Sequence, residues 1–205
     1  MGPVPQLLLV SAVAYLVGGL PFGYWFVRLT SGKDIRTMGS GNIGATNVHR
    51  TQGGKAGVIV LLLDILKGFI AVFIGALVAP NNATALGLSA VFVMLGHCYP
   101  VFLRFKGGKA VACFVGAFLY IAPVALGIVL LLFVAIVALW KYISLASIAG
   151  ALIFPLVFWI IYRPAIVLLV ACICCSLLII YRHKGNIARL RNGKENVFSL
   201  KGGKA

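Results

Sequence analysis

The residues able to do chemistry gather in three short polar segments. The first is Gly39-Ser40-Gly41-Asn42-Ile43-Gly44-Ala45-Thr46-Asn47, followed by Arg50. The second runs from His97 through Arg104, Lys106, Gly107 and Gly108 to Lys109. The third follows Arg182 and runs from His183 through Lys184, Asn186, Arg189 and Arg191 to Glu195 and Asn196. Together they offer glycine amides, hydroxyls, carboxamides, imidazoles and many cations. Only three acids occur in the chain, Asp34, Asp64 and Glu195. A donor-rich, carboxylate-poor set suits phosphate oxygens. It suits Mg²⁺ poorly, because that ion is usually held through one or two carboxylates. The expectation is a phosphate-bearing ligand, with no metal and no cofactor.

Two familiar patterns fail on inspection. Gly39-Ser40-Gly41-Asn42-Ile43-Gly44 reads as G-x-G-x-x-G, and Asp64 mimics the acid that would bind a ribose. That fingerprint needs a strand before it and a soluble βαβ unit around it. Here the flanking segments are apolar and of membrane length. What survives is the physics of glycine loops, whose N–H groups approach an anion closely. Phe105-Lys106-Gly107-Gly108-Lys109-Ala110 is not a Walker A loop either, since Leu103 stands where its first glycine belongs and no Ser or Thr follows Lys109. The tetrapeptide G-G-K-A occurs at 53–56, 107–110 and 202–205, and the last copy reads as incidental. Cys172 and Cys175 have C-x-x-C spacing but lie in an apolar run without a second pair, so no metal or redox use is expected.

The elements that position these segments are membrane helices. The chain has 205 residues, 62% hydrophobic and 10% charged, with mean hydropathy +1.09. Ordinary soluble domains carry about 25% charged residues. No polar stretch is long enough to fold alone, so residues 1–205 read as a single integral membrane domain, all-α. Eighteen Lys and Arg give a net charge of +15. Most of that follows from the positive-inside rule, and nucleic acid is excluded as a partner of a chain that is mostly span. The first apolar run has no basic residue before it, while Arg28 and Lys33 follow it. That argues against a cleaved leader and for an outside N-terminus.

Spans are expected at 7–27, 56–79, 83–99, 145–161 and 165–181, with an uncharged turn at Pro80-Asn81-Asn82. Residues 110–139 form one apolar run, about 45 Å as a single helix and too long to cross once without strong tilt. Two short passes breaking near Pro123 keep Lys106, Lys109, Lys141 and the basic tail on one side. The outcome is a polytopic bundle of about seven transmembrane helices, some short, with the N-terminus outside and the C-terminus cytoplasmic. Arg163 is then the one basic residue facing out. All three polar segments, and the link from Lys141 to Ser147, meet at the cytoplasmic surface.

Several residues have plain structural readings. Asp64 and Lys67 are three apart on the second span and can pair. Lys67 lies about 16 Å into that helix, where a bare charge is costly. A bridge between helices is the first reading of this pair, ahead of a substrate role. Ser40 is a nucleophile only if a base serves it, and is otherwise a loop hydroxyl or cap. Arg104, Lys106, Arg182 and Lys184 also fit as interfacial anchors.

These segments resemble the bacterial acyl-phosphate:glycerol-3-phosphate acyltransferases, the PlsY family. The likeness rests on Gly39 to Val48 with Arg50, on Leu63-Asp64 with Lys67-Gly68, and on Gly96-His97 with Pro100-Val101-Phe102 and Phe105 to Lys109. It continues through Ser144-Leu145-Ala146-Ser147, Arg182-His183, Asn186-Ile187, Arg189-Leu190 and Gly193-Lys194-Glu195. Cys113 stands where a small polar residue is expected, and the tail runs on past Phe198 to Ala205.

The resemblance implies a membrane enzyme of the bacterial inner membrane. It joins acyl phosphate and sn-glycerol 3-phosphate into 1-acyl-glycerol 3-phosphate and phosphate, the first acylation of phospholipid synthesis. Ser40, Asn42, His97 and Asn186 are the candidate catalytic residues. Gly39, Gly41, Gly44, Thr46, Asn47, Arg50, Arg104, Lys106, Gly107, Gly108, Lys109, Ser144, Arg182 and Glu195 are the candidate substrate-binding residues. Arg50, Lys109 and the amides of residues 39–44 would hold one phosphate, and Arg104 or Arg182 with Asn186 the other. The proton leaves to His97 or to a substrate phosphate oxygen, and Glu195 is either catalytic or a partner for the basic tail. The competing reading is a small anion transporter, which predicts charges on several spans and an internal repeat. One intramembrane pair and no convincing repeat are visible. A lipid-binding structural subunit would not need three Gly/Asn-rich segments on one face.

Overall fold

The computed structural model describes residues 2–199. Among them are ten α-helices and two single 3-10 turns, with no strand. The G-G-K-A copy at 202–205 lies outside the described residues.

The first apolar run is not one helix. α1 (Pro3–Gly19) ends before Leu20, and α2 (Phe22–Ser31) begins after Pro21. Proline has no N–H and drives the residue before it out of the α region. Leu20 accordingly sits at ψ 113°. The expected span at 7–27 lies within one 29-residue apolar segment, Pro3–Ser31, long enough to cross, which is built of two helices rather than one. The loop after it leads to α3 (Ala45–Gln52), and α4 (Gly54–Val78) follows at once. Asn82 then caps α5 (Ala83–Cys98), its Oδ1 accepting from the Thr84 and Ala85 amides.

The long apolar run does break where expected. α6 (Val111–Ile121) and α7 (Pro123–Trp140) meet at Ala122, and Pro123 opens the second helix. α8 (Ile143–Tyr162) and α9 (Ile166–Arg182) follow, and α10 (Lys184–Arg191) turns away from α9 by 54°. Among the described residues, five segments have the length and hydropathy to span, and the bent α9–α10 pair makes a sixth. With 11 residues, α6 is about 16 Å long, roughly half a hydrocarbon core. A count of seven therefore requires α6 to be one of the short spans.

Glycines set the crossings that matter to the site. A Cβ added at Gly68 would lie 2.2 Å from the Cys113 carbonyl oxygen, and one at Gly116 1.9 Å from that of Ile65. Small residues let membrane helices approach backbone to backbone, and here they press α4 onto α6. Phe154 on α8 lies edge-on to Phe114 and Phe118 on α6, each at 4.8 Å. Such pairs contribute about 0.5–1.5 kcal/mol each beyond their burial. A second, smaller cluster of Val27, Ile35, Ile43, Val48, Ala56, Val60 and Leu103 lies under the first polar loop.

The three polar segments reach one end of the bundle. The His49 ring on α3 lies tilted against that of Phe198, centres 5.3 Å apart, and the Phe198 amide donates to the Lys141 carbonyl at 2.7 Å. Arg182 donates to the second loop, and Lys109 of that loop donates to Asn186 on α10. At the other end, the Val124 amide donates to the Tyr162 hydroxyl, joining the α6–α7 break to the α8–α9 turn.

Candidate active site

The first loop is organised by one side chain. Asn47 Oδ1 accepts from the Ser40 amide at 2.9 Å, and Asn47 Nδ2 donates to the Met38 and Asn42 carbonyls at 3.0 and 2.8 Å. Gly39 sits at φ +54° with Asn47 Oδ1 only 2.4 Å from where its Cβ would be, so a larger residue meets both strain and overlap. Asn42 Oδ1 accepts from the Gly44 amide, and the Gly41 amide donates to the Met38 carbonyl. Asn47, expected among the substrate-binding residues, is thus a buried brace. The amides of Ser40, Gly41 and Gly44, expected to hold a phosphate, are engaged within the loop. Among the described residues, the amides left without a partner are those of Gly39, Asn42 and Ile43 in the loop and of Ala45 and Thr46 in the first turn of α3, where amides lack intrahelical acceptors. Ser40 and Thr46 are exposed, and Arg50 is half-buried one turn further on.

The second loop is folded against the end of α5. The Gly108 amide donates to the His97 carbonyl at 3.0 Å, and the Gly107 amide to the Cys98 carbonyl at 3.2 Å. Neither glycine has room for a side chain: a Cβ at Gly108 would fall 2.1 Å from His97 Nε2, and one at Gly107 2.1 Å from the His97 carbonyl oxygen. Arg182 closes the loop from the far side. Its Nε and Nη2 donate to the Gly108 and Gly107 carbonyls, both at 3.0 Å, and its guanidinium lies 5.0 Å from the Tyr99 ring centre. Arg182 is therefore first a clamp, with only part of its donor fork left for a ligand. Arg104 and Lys106, expected to bind substrate, are exposed on this loop.

Lys109 sits where the segments converge. Its Nζ donates to Asn186 Oδ1, Asn186 Nδ2 donates to Glu195 Oε1 at 2.8 Å, and Arg189 Nε donates to Glu195 Oε2 at 2.9 Å. Burial pushes the Lys109 pKa down to about 8, and the charges of Arg189, Arg182 and Arg50 press the same way against Glu195. The chain of contacts gives Glu195 the second of its two expected roles, a partner for the tail. Asn186 has both ends of its amide engaged. Arg189, named in the third polar segment but not among the candidate site residues, belongs to this cluster. Its signal was the i, i+3 spacing from Asn186 on a helix that starts at Lys184. Ser144 is buried in the first turn of α8, its hydroxyl without a partner among the described residues.

His97 is not an interfacial, solvated imidazole. It is buried, with Nδ1 3.8 Å from Asp64 Oδ1. Asp64, His97 and Cys113 bring three potential metal-ligating atoms within 4.8 Å of one another. The Lys67 ammonium, 2.8 Å from Asp64 Oδ1, already supplies a cation to that carboxylate. The contact is one of charge, since the geometry is out of line for a hydrogen bond to Oδ1.

Comparison with known proteins agrees along most of the chain. The family model described as Glycerol-3-phosphate acyltransferase matches residues 8–193. A curated glycerol-3-phosphate acyltransferase of Syntrophotalea carbinolica is 45% identical, over 90% of this chain and 94% of its own length. That of Syntrophomonas wolfei is 43% identical, over 89% and 92%. The crystal structure of PlsY, an integral membrane glycerol 3-phosphate acyltransferase, superposes in its glycerol 3-phosphate form with a TM-score of 0.89 at 39% identity, covering 94% of this chain and 96% of that one. Its lysophosphatidic acid form gives 0.86 at 37% identity, covering 95% and 96%. A donor-rich, acid-poor cluster at one end of a polytopic bundle, carried on a sequence that matches these proteins almost end to end, places the chain in the glycerol-3-phosphate acyltransferase family, as an integral membrane protein of the PlsY type.

Proposed function

We propose that this chain transfers a fatty acyl group from acyl phosphate to the C1 hydroxyl of sn-glycerol 3-phosphate. The hydroxyl oxygen attacks the acyl carbonyl carbon, the bond from that carbon to the phosphate oxygen breaks, and inorganic phosphate leaves. The products are 1-acyl-glycerol 3-phosphate and phosphate. The family and the two ligand forms of PlsY support the acceptor and the product. The observation that carries the reading to this chain is Lys109, a half-buried ammonium crowded by Arg50, Arg182 and Arg189. A phosphate dianion relieves that crowding, and a neutral substrate does not.

One phosphate is held by Lys109, Arg50 and the free amides at the start of α3. The other is held by the remaining donors of Arg182, with Asn186 beside it. His97, Ser40 and Asn42 orient the attacking hydroxyl, and its proton passes to His97 Nε2 or to a substrate phosphate oxygen. Phosphate is a good leaving group, so positioning supplies much of the acceleration. The site lies at the cytoplasmic face of the bacterial inner membrane, in seven passes with the N-terminus outside. There it serves a water-soluble acceptor and a lipid-like donor together.

The decisive assay mixes purified protein with labelled glycerol 3-phosphate and either acyl phosphate or acyl-CoA. Labelled lipid with acyl phosphate alone is expected. Lipid with acyl-CoA alone overturns the donor. Uptake into vesicles without a lipid product overturns the enzyme reading. A reporter fused at Asn81 or Arg163 is expected to read as external, and a cytoplasmic signal breaks the topology.

A further inference from the structure

The tail after α10 touches, in turn, three elements that carry the candidate site. Gly193, at φ +65°, turns the chain back, and the Lys194 amide donates to the Arg189 carbonyl at 2.8 Å. Glu195 is then held by Asn186 and Arg189 on α10. Further on, the Phe198 amide donates to the Lys141 carbonyl in the link between α7 and α8. The Phe198 ring lies against His49 on α3, and His49 Nε2 donates to the Ser199 carbonyl at 2.9 Å. Each anchor adjoins a candidate site residue. Asn186 accepts from Lys109, Lys141 shortly precedes Ser144 in the first turn of α8, and His49 precedes Arg50. The chain from Glu195 to Ser199 spans about 14 Å at most. The tail therefore runs along the rim of the polar end, from α10 past the head of α8 to α3. Phe198 is half-buried, yet among the described residues it packs with none of the bundle's apolar clusters. Its ring covers a polar end instead of extending a core. Residues 194–199 also lie beyond the stretch 8–193 that the family model matches.

We propose that residues 195–199 form a strap over the aqueous side of the site, and that Phe198 on His49 sets how the acyl group divides between the acceptor hydroxyl and water. This deepens the acyl-transfer reading above and rests on it. Acyl phosphate is a mixed anhydride, open to any oxygen nucleophile. In the unwanted reaction a water oxygen attacks the acyl carbonyl carbon and the bond from that carbon to the phosphate oxygen breaks. Fatty acid and inorganic phosphate result, and the protons of water pass to phosphate and solvent. Closing the site over the bound acceptor keeps water from the reactive bond. The acceptor is itself water-soluble, so the cover must also open. Beyond Glu195 the strap is held by one amide bond, one imidazole bond and one ring contact, few enough to part and re-form as weakly held segments do. Glu195, bonded twice and with its side chain 5% exposed, is the fixed end.

The test follows acyl-labelled acyl phosphate through the purified protein at saturating glycerol 3-phosphate. It measures free fatty acid against 1-acyl-glycerol 3-phosphate, after subtracting breakdown without protein. His49→Ala and Phe198→Ala are each expected to raise the ratio of fatty acid to lipid product several-fold. The double variant is expected to do no more than the larger single effect, since both act through one contact. Phe198→Pro also removes the amide that bonds Lys141, and is expected to raise the ratio further. Val197→Ala, at an exposed neighbour, is expected to leave it unchanged.

The ratio does not depend on how much of the protein is folded. A tail that only adds stability lowers both products together, and that result in the two alanine variants overturns the proposal even where Phe198→Pro fails to fold. Effects of His49→Ala and Phe198→Ala that multiply, or an equal rise in Val197→Ala, overturn it as well. No labelled lipid from the unaltered protein instead marks failure of the acyl-transfer reading itself.

Discussion

The first glycine-rich loop is held from within, and the second is held from outside. Asn47 braces residues 38–42 through bonds to neighbours fewer than ten positions away, over a small apolar cluster of its own. Gly107 and Gly108 have no such brace. They hang on the last carbonyls of α5, on Arg182 more than seventy positions away, and on the room left beside His97. The first loop is a local motif that the bundle carries. The second exists only once α5 and α9 are packed. Its shape is thus coupled to the imidazole and the ammonium that the chemistry needs. Damage to the second loop should therefore reach catalysis directly, and damage to the first should appear mainly as lost stability.

The largest effect should come from Lys109, the one cation shared by the second loop and the tail. Lys109→Ala removes a partly desolvated charge and leaves Asn186 Oδ1 without its donor. A loss of about 10²–10³-fold in kcat/KM is expected, from the cost of truncating one member of a desolvated polar pair. Unchanged acyl transfer by the purified variant would remove Lys109 from the phosphate site. Next is Gly108→Ala, whose methyl would sit 2.1 Å from His97 Nε2. The ring must move, and a misplacement near 1 Å costs about 10²-fold in kcat. Overpacking beside the buried ring should also lower stability by about 1–3 kcal/mol, and a normal kcat would show that the ring position is immaterial.

The first loop gives the contrasting case. Asn47→Ala strands the Ser40 amide and two carbonyls beneath the loop. Each such loss costs about 1–3 kcal/mol where water cannot replace the partner. The expected result is a clear drop in unfolding temperature with only about a tenfold fall in kcat/KM. A large kcat loss at unchanged stability would reverse the comparison and return Asn47 to the substrate.

The same contrast explains what the sequence disclosed. The all-α membrane bundle, the break at Pro123 and the meeting of the polar segments at one end followed from hydropathy, proline and charge, which act over a few residues. The Asp64–Lys67 pair followed from helical spacing. The roles of Asn47 and Arg182 did not. A carboxamide or guanidinium reads as a ligand-binding group until the backbone that claims its donors is placed. His97 was named as a catalytic candidate at a span end after Gly96, and nothing local says that Gly108 folds over it. The Leu20–Pro21 break was legible from Pro21, but the hydrophobic run outweighed it. The family resemblance covered nearly the whole chain in order and still could not say which of its polar residues brace the loops.

The smallest effect is the one that separates the loops most cleanly, because it is read first in the unaltered protein. Burial and the neighbouring guanidinium groups push the Lys109 pKa down to about 8. Glycerol 3-phosphate is a dianion above its second pKa of about 6, so its charge is constant across the range of interest. A bound dianion favours the ammonium and raises the Lys109 pKa in the complex. Below pH 8 the free site already carries its proton, and affinity is flat. Above pH 8 binding must take up a proton, so affinity falls by up to tenfold per unit, until the pH passes the raised pKa of the complex. KM for glycerol 3-phosphate should therefore be level from pH 6.5 to 8 and rise several-fold by pH 9. Lys109→Arg keeps its charge throughout and should abolish the rise, whatever its absolute activity. A flat KM in the unaltered protein, or a rise that survives in Lys109→Arg, would move the phosphate contact from the second loop to Arg50 and the amides of the first.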